Sequence, residues 1–195
     1  MAYIIGIIIS YLLGSIPMGL LLTKFMGKGD LRKVGSGNIG ATNVMRVGGL
    51  RMAAMTWVLD MLKAIFAVFV GYIIGGTVFG AWCGFFAVFG HCYPVWLRFH
   101  GGKGISSLFG VLLAISPMSF FVCGIEWLLV ALSSGYSSLG AVVAFCVMPL
   151  LGFFIGWQVG LPFLAIALLC LWRHRENIGR LVAGTESKIE WKWKK

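Results

Sequence analysis

Residues 52–97 read MAAMTWVLDMLKAIFAVFVGYIIGGTVFGAWCGFFAVFGHCYPVWL, two apolar runs separated by Gly75 and Gly76. A helix needs about 20 predominantly apolar residues to cross a bilayer, and the runs at 52–74 and 77–97 are each long enough. Working outward, similar runs lie near 2–23, 105–116, 118–133, 137–157 and 159–172. The pattern predicts an all-α integral membrane protein with about seven transmembrane helices. Residues 105–133 read either as one long bent helix or as two short ones, and Ser116-Pro117 favours two, because proline removes a backbone donor and ends or kinks a helix.

Composition excludes the alternatives. Of 195 residues 59% are hydrophobic and 11% charged, with mean hydropathy +0.95, whereas soluble domains run about 45–50% apolar and about 25% charged. So few charges cannot coat a soluble globule, and so apolar a chain is not disordered. Seven spans leave no room for a separate soluble domain, so residues 1–195 are expected to form a single polytopic membrane domain. Any chemistry must then come from short loops and helix ends. The scattered cysteines, Cys83, Cys92, Cys123, Cys146 and Cys170, lack metal-type spacing and read as small core hydrophobes. The opening MAYIIGIIISYLLG lacks a basic leader and cleavage site, so the first helix is expected in the mature protein.

Charge sets the expected orientation. Six of the 16 Lys and Arg lie between the first two spans (Lys24, Lys28, Arg32, Lys33, Arg46, Arg51), two follow the third (Arg98, Lys103), and seven follow the seventh (Arg173, Arg175, Arg180, Lys188, Lys192, Lys194, Lys195). By the positive-inside rule this puts the N-terminus outside and the C-terminus in the cytoplasm. The three basic segments, about 24–51, 91–104 and 173–195, then share the cytoplasmic face. With their acids they carry a net +11 of the chain's +10, and Asp60, Lys63 and Glu126 supply the balance. Gly76, Gly80 and Gly84, like Gly152, Gly156 and Gly160, form small-xxx-small rows that let helices approach closely.

The first basic segment centres on GSGNIGATN, residues 35–43. Its glycines, including Gly37 and Gly40, let successive N–H groups turn toward one point as an anion-binding nest. Ser36, Asn38, Thr42 and Asn43 add donors, and Arg46 offers a planar fork for phosphate. A flexible linker needs only Gly and Ser, not the interleaved Asn, Thr and Arg. The GxxxxGK[ST] spacing of a Walker loop is absent.

In the second segment, GHCYPVWLRFHGGKGI, the turn Gly101-Gly102-Lys103-Gly104 precedes an apolar helix. Such a helix start presents free N–H groups and a positive dipole end to an anion, and Lys103 adds a charge. A lone histidine is more often structural, but His91 near this turn is a site candidate, whereas His100 reads as an exposed boundary residue. In the third segment, RHRENIGRLVAGTE, a helix continuing to about Leu181 would put Arg173, Asn177 and Arg180 on one face. Glu186 among these cations is either a charge partner or an acceptor for a substrate hydroxyl. The terminal IEWKWKK resembles an interfacial anchor, with Trp191 and Trp193 at headgroup level. Asp60 and Lys63, one helical turn apart in the second span, make either a structural ion pair or part of a site.

In order and spacing, GSGNIGATNVMRVGG, GHCYPVWLRFHGGKG and RHRENIGRLVAGTE resemble the three motifs of the PlsY family, the bacterial acyl-phosphate:glycerol-3-phosphate acyltransferases. The resemblance covers essentially the whole chain. Departures are small: Tyr93 stands where Phe is usual, His100 where Lys is common, and Ile105-Ser106-Ser107 where Val-Ala-Thr is typical. The resemblance implies transfer of a fatty acyl group from acyl-phosphate to the sn-1 hydroxyl of glycerol 3-phosphate, in the bacterial cytoplasmic membrane with the active site on the cytoplasmic face. The products would be lysophosphatidic acid and phosphate. The implied site is Ser36, Arg46, His91, Lys103, Asn177 and Glu186 for catalysis. Gly37, Asn38, Gly40, Thr42, Asn43, Gly101, Gly102, Gly104 and Arg180 would bind phosphate. No cofactor, metal, nucleotide, nucleic acid or acyl-CoA site is expected, and membrane lipid is the surrounding partner. None of the three histidines has an aspartate five positions on, so the HxxxxD acyltransferase apparatus is absent. The rival reading is a small transporter or channel for phosphate compounds, which requires polar residues through the midplane; few charges lie there.

Overall fold

The computed structural model describes residues 1–189, whose regular elements are helices, with no strand among them. Trp191 and Trp193 of the expected interfacial anchor lie outside the described residues. The chain divides into two compact units, Met1–Pro117 and Met118–Lys195.

The first unit holds α1 (Ala2–Ser15), α2 (Met18–Phe25), α3 (Ala41–Cys92) and α4 (Ile105–Ile115). The span expected at 2–23 is broken between α1 and α2. Pro17 has no N–H to donate and forces the preceding residue out of the helical region, and Ile16 is extended at φ −64°, ψ 117°.

A straight helix of the length of α3 would run about 78 Å. It reverses instead at Gly75 (φ −153°, ψ 23°) and Gly76 (φ 72°, ψ −168°), giving a hairpin whose arms are the two runs that open the sequence reading. The arms touch through small residues, with a Cβ on Gly80 falling 3.0 Å from the Val68 carbonyl oxygen. Gly84 faces both Val68 and Val111, which wedges α4 onto the hairpin. Gly80 and Gly84 therefore serve the close approach expected of their row, whereas Gly76 makes the turn.

Helices α4 and α5 (Pro117–Ser134) are separate, divided at Ser116. The 11 residues of α4 rise only about 16 Å, roughly half the hydrocarbon thickness, so this segment does not span by itself.

The second unit contains α5, α6 (Ser137–Ile155), α7 (Trp157–Arg173) and α8 (Arg175–Val182). A Cβ on Gly152 of α6 would sit 3.0 Å from the Gly160 Cα of α7, while Gly156, at φ 155°, forms the link between them. The helix expected to run on to Leu181 does not. It bends by 59° at His174, whose ring is buried against Phe145 with centroids 5.1 Å apart. That break takes Arg173 out of helical register with Asn177 and Arg180.

The outer surface carries Ile4, Ile8, Phe66, Phe69, Ile73, Phe121 and Leu129 exposed. So much outward apolar surface suits lipid as the solvent.

Candidate active site

Leu31 and Ile39, almost fully buried, plug the first basic loop into Leu20, Val44 and Met52. Over this plug the backbone folds around one side chain. Asn43 Nδ2 lies 2.9 Å from the Val34 and Asn38 carbonyl oxygens and 3.2 Å from that of Leu31. Its Oδ1 accepts from the Ser36 N–H at 3.1 Å. An amide can do this because it carries both donors and an acceptor. The structure thus turns Asn43 inward, 1% exposed, and commits both its polar atoms to shaping the loop.

Asn38 Oδ1 accepts from Gly40 N–H at 3.0 Å, and Gly40 caps α3. Gly35 (φ 61°) and Gly37 (φ 69°) hold left-handed backbone, and a Cβ on Gly35 would overlap Asn43 Oδ1. Ser36, Thr42 and Arg46 are left on the exposed side, next to the first turn of α3, where N–H groups have no intrahelical acceptor. Nearby on the surface, the Arg32 guanidinium grips Asp30 at 2.6 Å and holds its carboxyl well below the usual range.

The glycine turn of the second segment folds back on the end of α3. Gly101 N–H donates to Cys92 O at 3.2 Å and Gly102 N–H to His91 O at 3.0 Å. Gly102 lies so close to the imidazole that a Cβ there would overlap His91 Nε2. Gly104 (φ 89°) then caps α4, so the turn does feed a helix N-terminus. Lys103 is half-buried between these glycines. The entry is bent: Arg98 and Phe99 both hold left-handed backbone. His100 is exposed, its Nδ1 at 2.6 Å from the Arg98 carbonyl oxygen.

Behind His91 the chain brings in Asp60 and Lys63 from the other arm of α3. Lys63 Nζ lies 2.7 Å from Asp60 Oδ1, 2.8 Å from the Ile16 carbonyl oxygen and 3.1 Å from His91 Nδ1. All three side chains are at most 4% exposed. The ammonium is thus ion-paired with Asp60 and within hydrogen-bond distance of His91 and of a carbonyl at the α1–α2 break. Removing one member of such a buried pair strands the other charge, at about 3–5 kcal/mol.

In the second unit, Glu186 anchors the third segment. Its Oε1 accepts from Asn177 Nδ2 at 2.6 Å and Ser138 Oγ at 2.8 Å, and its Oε2 from Arg180 Nε at 2.7 Å. Burial pushes this carboxyl up, but the three donors and the Arg180 charge outweigh burial and hold it below its ordinary value. Of the two readings left open for Glu186, the geometry is that of a charge partner.

Residues 4–184 match the family described as glycerol-3-phosphate acyltransferase. The chain belongs to that family. Relatives so named from Rhizobium etli and Agrobacterium fabrum are 48% and 46% identical over 93% of this chain and 89% of theirs. The one from Rhodopseudomonas palustris is 47% identical over 96% of this chain and 95% of its own. Two crystal structures of PlsY, an integral membrane glycerol 3-phosphate acyltransferase, superpose with TM-scores of 0.90 and 0.88. They are 37% and 36% identical, cover 97% of this chain and 96% of theirs, and hold the glycerol 3-phosphate and lysophosphatidic acid forms.

Within this acyltransferase fold, the first unit gathers the first loop around Asn43 and the glycine turn around His91, and the second gathers Asn177, Arg180 and Glu186. Two residues escaped the sequence reading. Ser138, at the start of α6, carries no motif signal, and only the fold brings its hydroxyl to Glu186. His174, 4% exposed, has its Nδ1 2.8 Å from the Cys170 carbonyl oxygen. Its signal was the packing of a polar residue between two basic neighbours at the end of an apolar run.

Proposed function

We propose that this protein transfers a fatty acyl group from acyl-phosphate to the sn-1 hydroxyl of glycerol 3-phosphate, releasing lysophosphatidic acid and phosphate. It does so in the bacterial cytoplasmic membrane with its site toward the cytoplasm, the acyl chain staying among lipid and apolar helices. The observation that carries the reading is the Asn43-centred loop, which holds left-handed glycines at the start of α3 and turns Ser36, Thr42 and Arg46 outward. This is a built anion cradle, in a family whose named substrate is a phosphate ester.

In roles, Ser36, Thr42, Arg46 and the first N–H groups of α3 hold a phosphate, that of acyl-phosphate. Gly37, Asn38, Gly40 and Asn43 shape their loop. Lys103 and the Gly101, Gly102 and Gly104 turn, backed by His91, hold the second phosphate or the reacting carbonyl. Asn177, Arg180 and Glu186 serve the glycerol phosphate.

Acyl-phosphate is already a mixed anhydride, so a covalent acyl-enzyme has little barrier to divide. The sn-1 oxygen attacks the carbonyl carbon, the bond from that carbon to the phosphate oxygen breaks, and the departing phosphate takes the hydroxyl proton. Glu186 is a poor proton acceptor because its oxygens already serve three donors. Cations and N–H groups aimed at the developing oxyanion and leaving phosphate do the catalysis.

The test is substitution. Arg46→Ala and Lys103→Ala in folded protein should each lower kcat/KM by about 10²-fold or more. Near-normal activity in both refutes the placement. Initial rates should intersect in double-reciprocal plots, and a kinetically competent acylated Ser36 or Cys92 seen by mass spectrometry refutes direct transfer.

A further inference from the structure

The glycine turn rests on a histidine, and the histidine rests on an ion pair that the transfer chemistry does not touch. Lys63 is an ammonium, with donors only. At 3.1 Å from His91 Nδ1 it requires that nitrogen to accept, so the ring proton sits on Nε2. The Asp60 carboxylate is farther from Nδ1, at 3.4 Å, than from Lys63, at 2.7 Å, so it holds the ammonium rather than a proton on the ring. Nε2 is the ring atom against which Gly102 packs, and Gly102 N–H is tied to the carbonyl of the same histidine. Imidazole orientation, tautomer and turn geometry are therefore set together. The chain reaches this through two distant contacts, Lys63 to His91 across the hairpin and Lys63 to the Ile16 carbonyl at the α1–α2 break.

We propose that Asp60 and Lys63 are positioning residues for the acyl transfer. They lock His91 as its Nε2–H tautomer against the Gly101–Gly102 turn, and through it fix how Lys103 and the start of α4 meet phosphate. The proposal rests on the reading of that turn as part of the site. A pair that merely pinned helices together would need neither a histidine nor a glycine packed on its far nitrogen. Outer residues that orient metal-bound histidines affect function about 10–100-fold, and the same scale is expected for this metal-free histidine.

The experiment is ¹⁵N-histidine NMR of the purified protein in detergent micelles, with the His91 signals assigned from their absence in His91→Gln, alongside steady-state kinetics. In the wild type, Nδ1 should be the unprotonated nitrogen and Nε2 the protonated one. The double variant Asp60→Asn/Lys63→Met removes both charges at similar volume, so that neither is left buried alone. It should keep its helix content, shift His91 to a mixed tautomer and lose about 10–100-fold in kcat/KM. A wild-type His91 protonated on Nδ1 overturns the proposal whether or not the double variant folds. So does a folded double variant with unchanged kcat/KM and an unchanged His91 spectrum. Lys103→Ala run in the same assay separates the two claims. If it retains activity, the reading of the turn fails and takes the proposal with it. If it loses activity while the folded double variant does not, only the positioning claim fails.

Discussion

Asn43 and Glu186 each gather several partners, and each can be tested by an isosteric change. Asn43→Asp keeps the shape but replaces two N–H donors with a carboxylate facing the carbonyls of Leu31, Val34 and Asn38. Leaving such buried groups unsatisfied costs about 1–3 kcal/mol each. Asn43→Asp should therefore lower thermal stability in detergent at least as much as Asn43→Ala, and an Asp variant of wild-type stability would refute the organising role. Glu186 has a depressed pKa, so its stabilising contribution is present above the unfolded carboxyl value of about 4.3. It is lost as pH falls through the lower folded value. Melting temperature followed below about pH 4 should fall less steeply in Glu186→Gln than in the wild type, Asp30 supplying part of the remaining slope. The motif sequence named these residues as site candidates. It could not say that Asn43 faces inward or that Glu186 is already triply bonded, since both depend on partners that folding brings from Leu31 and Ser138.

The helices were legible where hydropathy alone decides and illegible where one backbone angle decides. Apolar runs mark the arms of α3, α6 and α7, and Pro117 marks the α4–α5 division. They did not give the α1–α2 break, because Pro17 lies within a run whose hydropathy does not change across it. The bend at His174 was missed for a similar reason, because burial of one ring against Phe145 leaves no periodic trace. In the sequence Gly76 falls in a packing row, yet its φ and ψ lie in a region open almost only to glycine. A Cβ there meets nothing within 4 Å, so Gly76→Ala isolates the backbone term. It should destabilise by about 1–3 kcal/mol, read from thermal unfolding in detergent. A melting temperature equal to the wild type's would show that the hairpin does not depend on this turn.

At the scale of the whole molecule, the same low charge count that puts the chain in lipid makes its few polar segments conspicuous. They are short loops and helix ends, and the proposed phosphate-binding groups all lie in them. A bilayer position suits transfer of an acyl chain that never has to leave the apolar phase. The most direct measurement is lysophosphatidic acid formation by the purified protein from glycerol 3-phosphate, with either acyl-phosphate or acyl-CoA as donor. Acyl-phosphate should give lysophosphatidic acid and inorganic phosphate in equal amounts, and acyl-CoA should give none. No product from acyl-phosphate, or product from acyl-CoA alone, would contradict it.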